Sequence, residues 1–123
     1  MKRCIALVFI ISAVLINGCY YDVEEELYPQ QGLACDTAAI TYTQTIQPII
    51  AEKCLTCHSQ ALQLGNIVLE GHMALADVAA TGALLGAIKH ESGFSAMPQG
   101  EAKLDDCTIL KIEKWVNDGT PNN

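Results

Sequence analysis

Apolar residues run almost without interruption from Ile5 to Ile16, behind the basic start Met1-Lys2-Arg3 and ahead of Asn17-Gly18-Cys19. A basic start, an apolar stretch and a small residue before a cut site predict an export signal over residues 1–18. The run falls short of the about 20 residues that a membrane-spanning helix needs. Residues 19–33 hold no sustained helical or strand period, and Pro29-Gln30-Gln31-Gly32 would break any element continuing through them. They read as a tether.

From residue 34 to 123 the pattern is helical. Thr43 or Thr45 can cap a short helix with Ile46, Ile49 and Ile50 on one side, and Pro48 falls in its first turn, where a missing N–H is harmless. That helix ends at the run Cys54–His58. Gly65 to Gly71 reads as a loop or short extended piece. His72 to Lys89 is rich in Ala and Leu and predicts one interrupted helix or two short ones, broken near Thr81-Gly82, with Leu84, Leu85 and Ile88 as a second apolar face. His90 to Lys103, with Gly93, Pro98 and Gly100, is loop. Asp105 and Asp106 favour a helix start, Ile109, Ile112 and Val116 form a stripe with Trp115 beside it, and Gly119 with Pro121 marks the stop. The expected fold is all-α, one small domain.

Charge narrows the partners. The chain has seven basic and fourteen acidic residues, and the signal would take Lys2 and Arg3 with it. Nucleic acid is not the expected partner, because phosphate neutralisation needs Lys and Arg. The acidic balance instead steers the domain toward basic patches on other proteins.

Each of the six cysteines has an assignment. Cys4 leaves with the signal, Cys19 stands at the cut site, and Cys54 and Cys57 form a C-x-x-C-H run with His58. Cys35 and Cys107 remain. In an oxidising compartment they are expected to form a disulfide, the alternative being two buried thiols.

Cys54-Leu55-Thr56-Cys57-His58 suits covalent haem. Two thiols so spaced can add to the two vinyl groups on one side of a porphyrin, and the next residue then reaches the iron with an imidazole nitrogen. Zinc would need further spaced ligands. A thioredoxin-like pair expects a βαβ setting that this Ala-rich chain does not offer. A structural disulfide between Cys54 and Cys57 would leave His58 without a role.

Four residues could supply a sixth iron ligand: Met73, Met97, His72 and His90. Met97 lies in the loop Ser95-Ala96-Met97-Pro98, where Pro98 biases it toward extended backbone, and such a loop can carry a thioether across a haem face. Met73, near a helix start, is expected to fill the core. His72 and His90 are expected at the surface or on a propionate. Met97 is the expected ligand.

With these residues in view, the chain resembles a single-haem cytochrome c, and more narrowly the small haem-c domains of Bacteroidota. The matching pieces are Thr45-Ile46-Gln47-Pro48-Ile49, the C-x-x-C-H run, Leu85-Gly86-Ala87-Ile88, Ser95-Ala96-Met97-Pro98-Gln99-Gly100, Leu104-Asp105-Asp106-Cys107 and Lys114-Trp115-Val116. The resemblance implies a cytochrome c-like helical fold wrapped around one covalent haem c held by Cys54 and Cys57. It further implies iron ligation by His58 and Met97, and transfer of single electrons to redox protein partners. No side chain would then do acid–base or nucleophilic work, so the chain is expected to be an electron carrier rather than an enzyme. The alternatives are a haem-based sensor of small ligands and a non-catalytic haem subunit of a larger redox complex. A two-haem peroxidase is disfavoured by the single C-x-x-C-H.

Ile16-Asn17-Gly18-Cys19 resembles a bacterial lipobox, which implies lipidation of Cys19 and membrane attachment through acyl chains alone. Tyr20 after that cysteine points, by resemblance to Gram-negative sorting rules, to the outer membrane, with the domain on its periplasmic or surface face.

Overall fold

The computed structural model describes residues Cys35–Asn123. The expected signal (1–18), the tether (19–33), Cys4 and Cys19 lie outside the described residues. Within them the chain is helical, with no strand. No described helix is long and apolar enough to cross a membrane.

A wide π-type turn at Tyr42–Ile46 opens the domain and runs into α1 (Gln47–Lys53). Its cap is Thr41, whose hydroxyl accepts from the Gln44 N–H at 3.2 Å, rather than Thr43 or Thr45. The start moves upstream because Tyr42 and Ile46 are both buried, and the turn that holds them must precede Pro48. α2 (Leu55–His58) comes after the single residue Cys54. A 3-10 turn at Leu64–Asn66 leads to extended backbone at Ile67.

Of the one interrupted helix or two short ones expected, the chain forms two, α3 (His72–Ala80) and α4 (Ala83–Lys89), parted at Thr81-Gly82, where Gly82 takes the left-handed φ of 79° that an L side chain resists. α5 (Asp106–Asn117) begins at the Asp105 cap, whose carboxylate accepts from the Thr108 N–H at 2.9 Å. Thr108 holds that carboxyl below its usual range, first through its hydroxyl and then its N–H.

α5 packs on the opening turn, on α3 and on α4. Ile46, Leu75, Ile112 and Trp115 are wholly buried at the centre, ringed by Ile50, Leu69, Leu84, Leu104 and Ile109. The inward stripe of α5 is Ile109, Ile112 and Trp115, a correction to the expected one, since Val116 is only half-buried. Trp115 turns inward because its indole N–H has a partner there, the Pro121 carbonyl at 2.9 Å. The last residues fold back against the opening turn, where Asn123 accepts from the N–H groups of Tyr42 and Thr43 at 2.8 and 3.0 Å. Tyr42, His72 and Trp115 form an aromatic cluster, with the rings of Tyr42 and His72 edge-on at 4.8 Å.

Cys35 and Cys107 stand with Cα atoms 5.3 Å apart and sulfurs at bonding distance. They join the segment before the first turn to the first turn of α5.

Candidate functional site

Cys54 ends α1 and opens α2, so the short α2 carries the rest of the motif. Hydrogen bonds from the N–H groups of Cys57 and His58 to the Cys54 carbonyl, at 3.1 and 2.9 Å, curl the motif into one turn. Both thiols are free. Cys54 is half-buried against the core, and burial pushes its thiol up to about 11. That is the reverse of the depressed value a redox-active cysteine needs. Cys57 is exposed.

His58 is half-buried at the end of α2, and the chain after it closes back on it. The Leu69 N–H donates to the His58 carbonyl at 2.9 Å, with left-handed backbone at Gln63, Gly65 and Asn66 making the return. That return aims the Ile67 carbonyl at the imidazole, with Nδ1 3.3 Å from the oxygen. A carbonyl can only accept, so Nδ1 is the donor here, and in the neutral imidazole the lone pair is on Nε2. No described residue bonds that Nε2. The other two histidines are set differently. His72 offers Nε2 to the Thr120 carbonyl at 2.8 Å, and His90 offers Nε2 to the Met97 carbonyl at 3.0 Å. Of the three, His58 alone presents Nε2 without a partner among the described residues.

Met97 stands on a separate element, the loop after α4. Its N–H donates to the Ala87 carbonyl at 3.0 Å, and Pro98 comes next through a cis peptide bond. The Phe94 ring rests against Gly86 in α4. Lys53, next to Cys54, is held above its usual range mainly by its hydrogen bond to Glu52, and the fields of Glu101 and Asp105 add to it.

Met73 corrects an expectation. It is 79 % exposed rather than core-filling, because the inward face of α3 is taken by Leu75 and Ala79.

Leu62, Leu64 and Ile67, which come after the motif in sequence, are exposed apolar side chains, and so is Phe94 in the loop that carries Met97. Among the described residues no three His, Cys, Asp or Glu side chains converge as a metal cluster would require. Four of the five lysines in this region are paired with carboxylates, Lys53 with Glu52, Lys89 with Glu113, Lys103 with Asp106 and Lys114 with Asp118.

The contacts that reasoning from sequence missed are mostly backbone. The Ile67 and Ala87 carbonyls carry no side-chain signature. Gly86, inside an otherwise Ala- and Leu-rich helix, was a legible sign of close approach.

Compared with protein-family models, with curated proteins and with solved structures, the chain matches none.

Proposed function

We propose that this chain is a monohaem c-type cytochrome that passes single electrons at the cell envelope. The observation that carries the reading is the setting of His58: it closes a C-x-x-C-H turn with two free thiols, and its Nδ1 proton is engaged by the Ile67 carbonyl. A metal-ligating histidine almost always has its second nitrogen held this way, which fixes the tautomer and aims the other nitrogen at the metal.

Cys54 and Cys57 would hold the group covalently, and His58 through Nε2 and Met97 through its sulfur would ligate its iron. When bound, haem supplies one iron that takes up and releases a single electron. The porphyrin brings four of the iron's ligands with it, so one or two protein ligands suffice and a three-residue cluster is not required. Leu62, Leu64, Ile67 and Phe94 are exposed apolar side chains of the kind a flat hydrocarbon macrocycle needs around it.

The partners are redox proteins bearing basic patches. Pairing leaves Lys111 as the one lysine of the described residues without a carboxylate partner among them, against Asp36, Glu70, Asp77, Glu91, Glu101 and Asp105. Export and lipidation at Cys19 would keep the domain at a membrane surface by acyl chains.

Attachment tests the reading. Haem should stay with the polypeptide through acid–acetone extraction and a denaturing gel, and Cys54→Ala with Cys57→Ala should release it. Covalent haem retained by the double variant would put the site elsewhere.

A further inference from the structure

We propose that His90 is a positioning residue for Met97, holding the backbone from which the thioether extends; this rests on the haem reading above.

α4 ends in a tight cap in which the Glu91 N–H donates to the Gly86 carbonyl at 2.9 Å and the His90 N–H to the Ala87 carbonyl at 3.2 Å. That pair of bonds requires the residue at position 90 to be left-handed, and His90 has φ 59° and ψ 40°. α5 ends in the same pair of bonds. There the Thr120 N–H donates to the Trp115 carbonyl and the Gly119 N–H to the Val116 carbonyl, both at 3.0 Å, and the left-handed place belongs to Gly119, with φ 86°. One chain thus builds the same cap twice, once with the residue the backbone prefers and once with an imidazole at a conformational cost.

What the imidazole gains is Met97. Its Nε2 lies 3.0 Å from the Met97 carbonyl and, facing an acceptor, carries the proton. The Met97 N–H is bound on its other side to the Ala87 carbonyl, the same oxygen that accepts from the His90 N–H. Both polar backbone groups of Met97 are therefore tied to the end of α4, one by the cap carbonyl and one by the cap side chain. The thioether starts from a fixed Cα. A sulfur ligand is weak, and its residence on iron depends on how little the chain must be ordered to bring it back. With Nε2 spent on this bond, His90 has only Nδ1 left to offer a metal.

The test separates clamp from fold. His90→Gly removes the donor and relieves the left-handed backbone, so its melting temperature should be no lower than that of the wild type. In the ferric protein, displacement of Met97 by saturating imidazole should nevertheless be about three- to tenfold faster, the range one ordinary lost hydrogen bond allows. His90→Gln, which keeps an N–H donor, should stay close to the wild-type rate. A merely structural role would lower the melting temperature and leave that rate alone. Equal displacement rates in wild type and His90→Gly would overturn the proposal. If the purified protein carries no covalent haem, the haem reading fails by itself, and amide exchange at Met97 still judges the clamp. Faster exchange in His90→Gly upholds it, and equal exchange overturns it.

Discussion

The ring of Phe94 rests on Gly86 of α4 so closely that a β-carbon at position 86 would overlap it. The backbone at Gly86 is helical, so no special φ demands glycine there. The demand comes from the ring of the methionine loop.

Gly86→Ala should therefore have opposite signs in two backgrounds. With Phe94 present, overpacking costs about 1–3 kcal/mol, which outweighs the gain from a better helix former. In Phe94→Ala the overlap is gone, and Gly86→Ala should stabilise by about 0.5–1 kcal/mol through helix propensity alone. Denaturant unfolding of the four proteins decides it. The same sign in both backgrounds would remove Phe94 as the cause.

The disulfide gives a second prediction. Cys35 and Cys107 are 72 positions apart, and closing a loop of that length should contribute about 4 kcal/mol through the unfolded chain. Alkylation of the denatured, unreduced protein should label neither residue. Replacing both by Ser should lower stability by an amount of that order, and full labelling of the wild type would end the assignment.

Trp115 supplies a third. It is wholly buried, and its indole N–H holds the Pro121 carbonyl. Trp115→Phe keeps an aromatic ring but abandons that carbonyl and leaves a space. A loss of about 1–3 kcal/mol is expected, read by thermal or denaturant unfolding. An unchanged stability would mean that the tail contributes nothing through this bond.

Much of this was legible in the sequence where a residue type has one strong local use. Gly82 parted α3 from α4, Asp105 and Asp106 marked the start of α5, and Gly119 stopped it. The first cap was not legible, because threonines at 41, 43 and 45 are locally equivalent and burial of Tyr42 chooses among them. The inward turn of Trp115 depends on a carbonyl delivered by the chain's last residues, which periodicity within α5 cannot reveal. At the candidate site the motif Cys54–His58 was plain, whereas its orientation was not. Whether a histidine presents Nδ1 or Nε2 depends on which carbonyl faces it, and the Ile67 carbonyl arrives only through the left-handed turn at Gln63, Gly65 and Asn66. His90 ran against pattern, since the left-handed cap it occupies is ordinarily announced by glycine.

Met97 decides between carrier and sensor. Should its sulfur close the sixth position, the ferric protein will be low-spin, with the weak far-red band expected of sulfur ligation by resemblance to His/Met cytochromes. The iron then offers no vacant place to a small ligand and changes charge with little movement of its ligands, as rapid electron transfer requires. Met97→Ala should make the ferric iron high-spin, lower the reduction potential and let carbon monoxide bind the ferrous form readily. Met73→Ala should do none of this, since Met73 stands exposed on the outer face of α3. His72→Ala should also leave the spectrum unchanged while costing stability, because its Nε2 is engaged with the Thr120 carbonyl. A wild type that is already high-spin and takes carbon monoxide avidly would transfer the reading from carrier to sensor. A Met97→Ala spectrum identical to the wild type would remove Met97 from the iron altogether, and with it the purpose assigned to the clamp at His90.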